Sequence, residues 1–163
     1  MTRHVDLWDV QGNIVRSYGR FGYPHACHLF FHFGSLEAGR AVIAFLIPFV
    51  TKGVTWRPND TDMESKAPDV TLNIGLTWRG LQALGLPTAS LSGMPEEFID
   101  GMARRAPLLG DEGPSGPEGW DPIWQRSASD PGQAVHMWVS LNGRMDPRTG
   151  DPLPAFAERI RFV

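Results

Sequence analysis

The sequence predicts an α+β fold in which an antiparallel sheet carries helices on one face. Three observations predict it. Strand patterning occurs in three separate segments, at 25–33, 70–76 and 134–141. Helical patterning falls between and after these segments, which suits helices layered on a sheet. The 14 prolines and 18 glycines gather between Leu86 and Pro131 and again from Asp146 to Pro154, so short elements are joined by turn-rich connections. With 163 residues, 42% of them hydrophobic, a single domain spanning 1–163 is expected.

Residues 1–23 read as an irregular lead-in around a short segment from Asn13 to Arg16, ending in the turn-prone Tyr18-Gly19-Arg20-Phe21-Gly22-Tyr23-Pro24. From His25 to Phe33 the chain alternates. Cys27, Leu29, Phe31 and Phe33 form the purer apolar face, and His28, Phe30 and His32 a semi-polar one. The first face should meet the helices. The second is left for another sheet or a ligand.

Ser35 is placed to cap a helix with Glu37 in its first turn, and Pro48 should stop or kink that helix. Thr51 to Pro68 is polar and reads as an exposed loop. Val70, Leu72, Ile74 and Leu76 then alternate as a strand. Thr77 caps a short helix from Trp78 to Leu84, closed by Gly85. Pro95-Glu96-Glu97 opens another helix, which aligns Phe98, Met102 and Arg105 and is expected to end at Pro107. Residues 110–133 read as a long loop anchored by Trp120, Ile123 and Trp124. Ala134 to Leu141 is the third strand, with Asn142-Gly143 as a turn signal. The segment from Pro154 to Val163 is a helix, or a helix feeding a last strand. This order of elements suggests a ferredoxin-like sandwich.

Composition excludes several functions. The net charge is −3 with no basic run, which argues against nucleic acid and anionic membranes as partners. The most apolar stretch, Ala41 to Val50, is interrupted by Pro48 and is about half the length needed to span a bilayer. The N-terminus lacks a secretory pattern, and the lone Cys27 rules out an internal disulfide, so a cytoplasmic protein is expected.

Candidate chemistry is sparse. Cys27 lies near His25 and His28 but on a strand, where neighbours cannot orient as nucleophile and base, so it reads as a small core residue. His28, His32 and His136 are the candidates for holding a cofactor. On one strand His28 and His32 would sit about 13 Å apart, too far to share an ion, so sheet-face hydrogen bonding is the competing reading. Asp60, Asp62 and Glu64 lack the glycine and glutamate spacing of a calcium loop. Arg104, Arg105 and Asp111 suggest an arginine that ties down the following loop, or one that holds an anion or a partner. No metal site is expected.

Four motifs add to this. They are Asp9-Val10-Gln11-Gly12-Asn13-Ile14, Asn73-Ile74-Gly75-Leu76-Thr77, and Gly80 through Pro87. The fourth runs from Gly101 through Arg104, Arg105, Gly110 and Asp111 to Gly113, Ser115, Pro117 and Trp120. In this order, over roughly residues 8 to 141, they resemble the N-terminal half of dye-decolourising (DyP-type) haem peroxidases. The resemblance implies half of a dimeric α+β barrel. It also implies haem held mainly by a C-terminal half, which brings a Gly-x-x-Asp-Gly acid, a distal arginine and a proximal histidine. None of these maps onto this chain, so no catalytic residue is carried over. The structural motif carried over is Arg104, Arg105, Asp111 and Trp120. The implied activity is an oxidoreductase that works only with a C-terminal DyP-like half. The alternative is a non-catalytic dimeric interaction or small-molecule-binding module, whose partner is a second copy of the chain.

Overall fold

The computed structural model describes residues 5–18, 22–56 and 66–163. The fold is α+β, with a three-stranded antiparallel sheet and helices. The strands are β1 (His25–Phe31), β2 (Val70–Leu76) and β3 (Met137–Gly143), in the order β1-β3-β2. The helices are α1 (Gly12–Val15), α2 (Leu36–Leu46), α3 (Trp78–Ala83), α4 (Thr88–Leu91), α5 (Glu96–Leu109), α6 (Pro122–Ser129) and α7 (Pro154–Phe162). Thr77 N–H donates to His136 O at 3.1 Å, and Arg144 N–H donates to Asp69 O at 2.9 Å. The start of β2 therefore meets the end of β3, which fixes their antiparallel sense.

Contacts gather into two compact units. The first comprises 1–29, 46–74 and 139–163, and the second 30–45 and 75–138. In the first, Leu46, Leu72, Val139 and Leu141 are fully buried, with Tyr23 nearly so. Phe156 of α7 is buried too, and its ring lies where a side chain at Gly143 would have to go. In the second unit the buried groups include Phe33, Leu84, Leu91, Ala106, Val135 and Met137.

Local signals act as expected at several points. Ser35 Oγ accepts from Ala38 N–H at 3.1 Å, and Thr77 Oγ1 accepts from Gly80 N–H at 3.0 Å. After α2 the chain tightens into a 3₁₀ turn over Ile47–Phe49, which contains Pro48. Residues 57–65, with the acids Asp60, Asp62 and Glu64, lie outside the described residues.

Five expectations are corrected. β1 ends at Phe31, not Phe33, because Phe33 N–H leaves the ladder to donate to His136 Nδ1 at 2.9 Å. β3 begins later than expected, since Val135 N–H donates to Ser127 Oγ at 2.9 Å. Asn142-Gly143 is strand rather than turn, and the Arg144–Asp69 backbone bond continues the ladder beyond it. Pro107 lies inside α5; the helix ends at Gly110, whose φ of 77° forms a left-handed cap with its N–H turned to the carbonyls of Ala106 and Pro107. Gly101, at φ 70° and ψ 175°, breaks α5 internally, so Phe98 and Met102 do not share one helical line.

The segment read as a loop over 110–133 is largely structured. It holds 3₁₀ turns at Gly113–Ser115, Pro117–Gly119 and Pro131–Gln133, and it holds α6. Proline at the start of α6 needs no N–H partner there, which is how a proline-rich stretch still begins a helix.

Candidate functional site

The predicted site residues do not form one constellation. His28 is exposed on β1. His32 and His136 are brought together in the second unit, ring centroids 4.3 Å apart and stacked. His32 Nδ1 lies 2.8 Å from Ala134 O, so that nitrogen carries the proton and donates. His136 does the reverse. It is buried, and its Nδ1 accepts the Phe33 N–H. The neutral ring then carries its proton on Nε2. Burial, followed by the charges of His32 and Arg79, holds the His136 imidazole below its ordinary 6.5. The pair thus joins the end of β1 to the residue before β3, and His136 N–H adds a bond to Phe31 O at 2.8 Å.

These residues do not fit a haem site. An axial imidazole needs a lone pair on the nitrogen facing iron, with the other nitrogen donating to its second-shell partner. His136 has its protons arranged the opposite way. His32 has the required arrangement but is stacked on His136, the planes 29° apart, and is itself exposed. A cleft of about 440 Å³ in the first unit is lined by Pro68, Asp69, Val70, Ala155, Glu158, Arg159 and Phe162, with no histidine. Among the described residues no group of three or more His, Cys, Asp or Glu side chains is placed to hold a metal ion.

The Arg104–Asp111 motif is also resolved differently from the expectation. Arg104 pairs with Asp100 at 3.1 Å, four residues back across the Gly101 break, and is largely exposed. It is the backbone that ties down the loop. Asp111 N–H donates to Ala106 O at 2.9 Å beyond the Gly110 cap. Trp120 then closes the turns, its Nε1 donating to Ser115 O at 2.9 Å. Gln125 Nε2 holds the same corner through Glu118 O and Trp120 O, at 2.8 and 2.6 Å. From Gly110 to Trp120 the motif is a folded corner held by these hydrogen bonds.

A polar cluster joins two segments that are distant in sequence. In the first unit Gln11 sets its side-chain amide against the outer edge of β2. Nε2 donates to Ile74 O at 2.8 Å, and Oε1 accepts from Ile74 N–H at 2.8 Å. Thr51 treats Leu72 in the same way: its N–H donates to Leu72 O at 2.8 Å, and its Oγ1 accepts from Leu72 N–H at 3.0 Å. Asn73 Nδ2 reaches Thr51 O and Gln11 Oε1, both at 3.3 Å. The Tyr18 hydroxyl and Asn73 Oδ1 are buried without a partner of good geometry. Burial pushes the Tyr18 hydroxyl up to about 12, against the opposing effects of Asn73, Arg16 and Thr71, so it stays protonated. The signal for this cluster was present as two separate motifs, Asp9–Ile14 and Asn73–Thr77. Nothing in one dimension showed that they meet.

No family model matches the chain, and no curated protein matches it. Among solved structures it is similar to one described as "Crystal structure of DyP", at 19% identity and a TM-score of 0.64. That similarity covers 98% of this chain and 29% of the other, so this chain spans less than a third of the protein it matches. At that identity the likeness establishes a DyP-like fold.

Proposed function

We propose that this chain is the N-terminal-half-like part of a DyP-type haem peroxidase, active only when a complementary C-terminal half supplies haem, its ligand and the distal acid. The reading is carried by one observation: 98% of the chain follows a DyP structure, and that match takes up 29% of the DyP chain. The commitments of His32 and His136 support it, because the His136 lone pair on Nδ1 is taken by Phe33 N–H and the His32 ring is stacked on His136. The chain's contribution is then a folded half that completes the enzyme, with no catalytic residue of its own.

The test is an absorption titration with haem, first of the purified chain and then of the chain co-expressed with the C-terminal half of a DyP-type peroxidase. The expected result is no stoichiometric Soret band alone, and a Soret band with peroxide-dependent dye oxidation in the pair. A stoichiometric Soret band from the chain alone would overturn the reading, as would a pair that assembles and binds no haem.

A second reading, a dimeric binding module, is favoured by the apolar surface of α5, where Met102 and Leu108 are 61% and 75% exposed. Apolar surface of this kind marks interaction sites when it is contiguous. A dimer mass without haem binding in either preparation selects this reading.

A further inference from the structure

We infer that the cleft between α7 and the start of β2 binds a free α-amino acid with an apolar side chain, its carboxylate held by Arg159 and its ammonium by Glu158. The inference goes beyond the half-enzyme reading and does not depend on it.

α7 is anchored by Phe156, whose buried ring lies against Gly143. Ala155, Glu158, Arg159 and Phe162 stand at i, i+3, i+4 and i+7, so they form one stripe of the helix. All four line the cleft, opposite Asp69 and Val70. A helix stripe turned toward the rest of the fold is ordinarily apolar throughout. This one carries an acid and a base at its centre, and the two do not pair. Among the described residues the ion pairs are Arg104–Asp100 and Arg144–Asp69, and neither Glu158 nor Arg159 has a side-chain hydrogen bond.

Arg159 is half-buried and held in place by aromatic rings rather than by an acid. Its Cζ lies 5.2 Å from the centroid of Phe49 and 5.6 Å from that of Phe162, and the two rings pack edge to face. Ring faces attract the cation but leave the N–H fork of the guanidinium for an acceptor. A carboxylate matches that fork with two parallel hydrogen bonds.

Glu158 supplies the opposite half of the recognition. It is an acceptor-only group, suited to an ammonium. The other acid of the lining, Asp69, is already answered by Arg144 at 3.4 Å. One cation and one anion therefore remain for the ligand. A zwitterion answers both, whereas a simple acid or a simple amine leaves one of them unpaired. Val70, Ala155 and Phe162 supply an apolar wall for the side chain. The volume of about 440 Å³ falls in the range of small-molecule sites.

The test is a residue-resolved NMR titration of the full chain with L-phenylalanine, N-acetyl-L-phenylalanine and L-phenylalaninamide. The expected result is saturable amide shifts at Val70 and Ala155 with L-phenylalanine, at a Kd on the order of 1 mM, the value for a ligand of its size at ordinary efficiency. Each derivative lacks one of the two charges and should bind about tenfold more weakly. Arg159→Gln should weaken L-phenylalanine by about the same factor. Glu158→Gln changes an exposed side chain that pairs with nothing among the described residues, so it should fold whether or not Arg159→Gln does. It should weaken L-phenylalanine but not N-acetyl-L-phenylalanine. No saturation by about 10 mM, equal affinity for the three compounds, or undiminished binding in either folded variant would each overturn the inference. Haem and the complementary half are not part of this readout, so the half-enzyme reading can fail while this site stands, and the reverse.

Discussion

At the scale of single residues, two side chains replace backbone in the ladder, and each makes a sharp prediction. Gln11 satisfies both the N–H and the C=O of Ile74. Gln11→Ala leaves two partly buried backbone groups unpaired and should cost about 1–3 kcal/mol in urea unfolding. Gln11→Glu keeps the acceptor and loses the donor, so it should fall between alanine and wild type. His136 accepts the Phe33 N–H only while Nδ1 is unprotonated. Its folded pKa is depressed below 6.5 by burial and by the neighbouring His32 and Arg79. Its stabilisation is therefore present above the unfolded value and lost as pH falls through the lower folded value. Unfolding measured from pH 8 to pH 5 should show stability declining below about pH 6.5, with a shallower decline in His136→Gln. An unchanged slope in the variant would assign the decline to other groups.

At the scale of elements, the corner after α5 depends on backbone conformation. Gly101 occupies a region that is essentially closed to side chains, and Gly110 forms a left-handed cap. Gly101→Ala should destabilise by about 1–3 kcal/mol, read as a lowered melting temperature. Trp120 closes the 3₁₀ turns through a single hydrogen bond to Ser115 O. Trp120→Phe removes that bond while keeping most of the ring. It should cost about 1 kcal/mol and speed amide exchange between Gly113 and Trp120, leaving β2 unchanged. The interior break in α5 was not legible because Phe98 and Met102 still fall at helical spacing; only the φ of Gly101 shows that the line is broken. α6 was hidden in a similar way. Its signals, Asp121 before Pro122, sit among so many glycines and prolines that turn chemistry dominates the local pattern.

At the scale of the whole molecule, the half-enzyme reading makes the three histidines dispensable for haem. His28→Ala, His32→Ala and His136→Ala should each leave the Soret position of a complemented preparation unchanged, although His136→Ala should lower thermal stability. Loss of the Soret band in any folded variant would place a ligand in this half. Among the described residues no helix is long and apolar enough to cross a membrane.

The sequence by itself determined the elements whose causes are local. β2 follows from strict alternation at 70–76, the α2 and α3 starts from Ser35 and Thr77, and the DyP-like fold class from the order of strands, helices and motifs. Tertiary structure decided everything that depends on which groups meet. It turned Gln11 onto Ile74, paired His32 with His136 in opposite tautomers, and sent Arg104 back to Asp100 instead of on to Asp111. It also closed the β2 edge of the sheet with Gln11 and Thr51. The reason is physical. Periodicity and caps report the few residues around each position, whereas a buried hydrogen bond is assigned by whichever donor and acceptor the folded chain brings within reach.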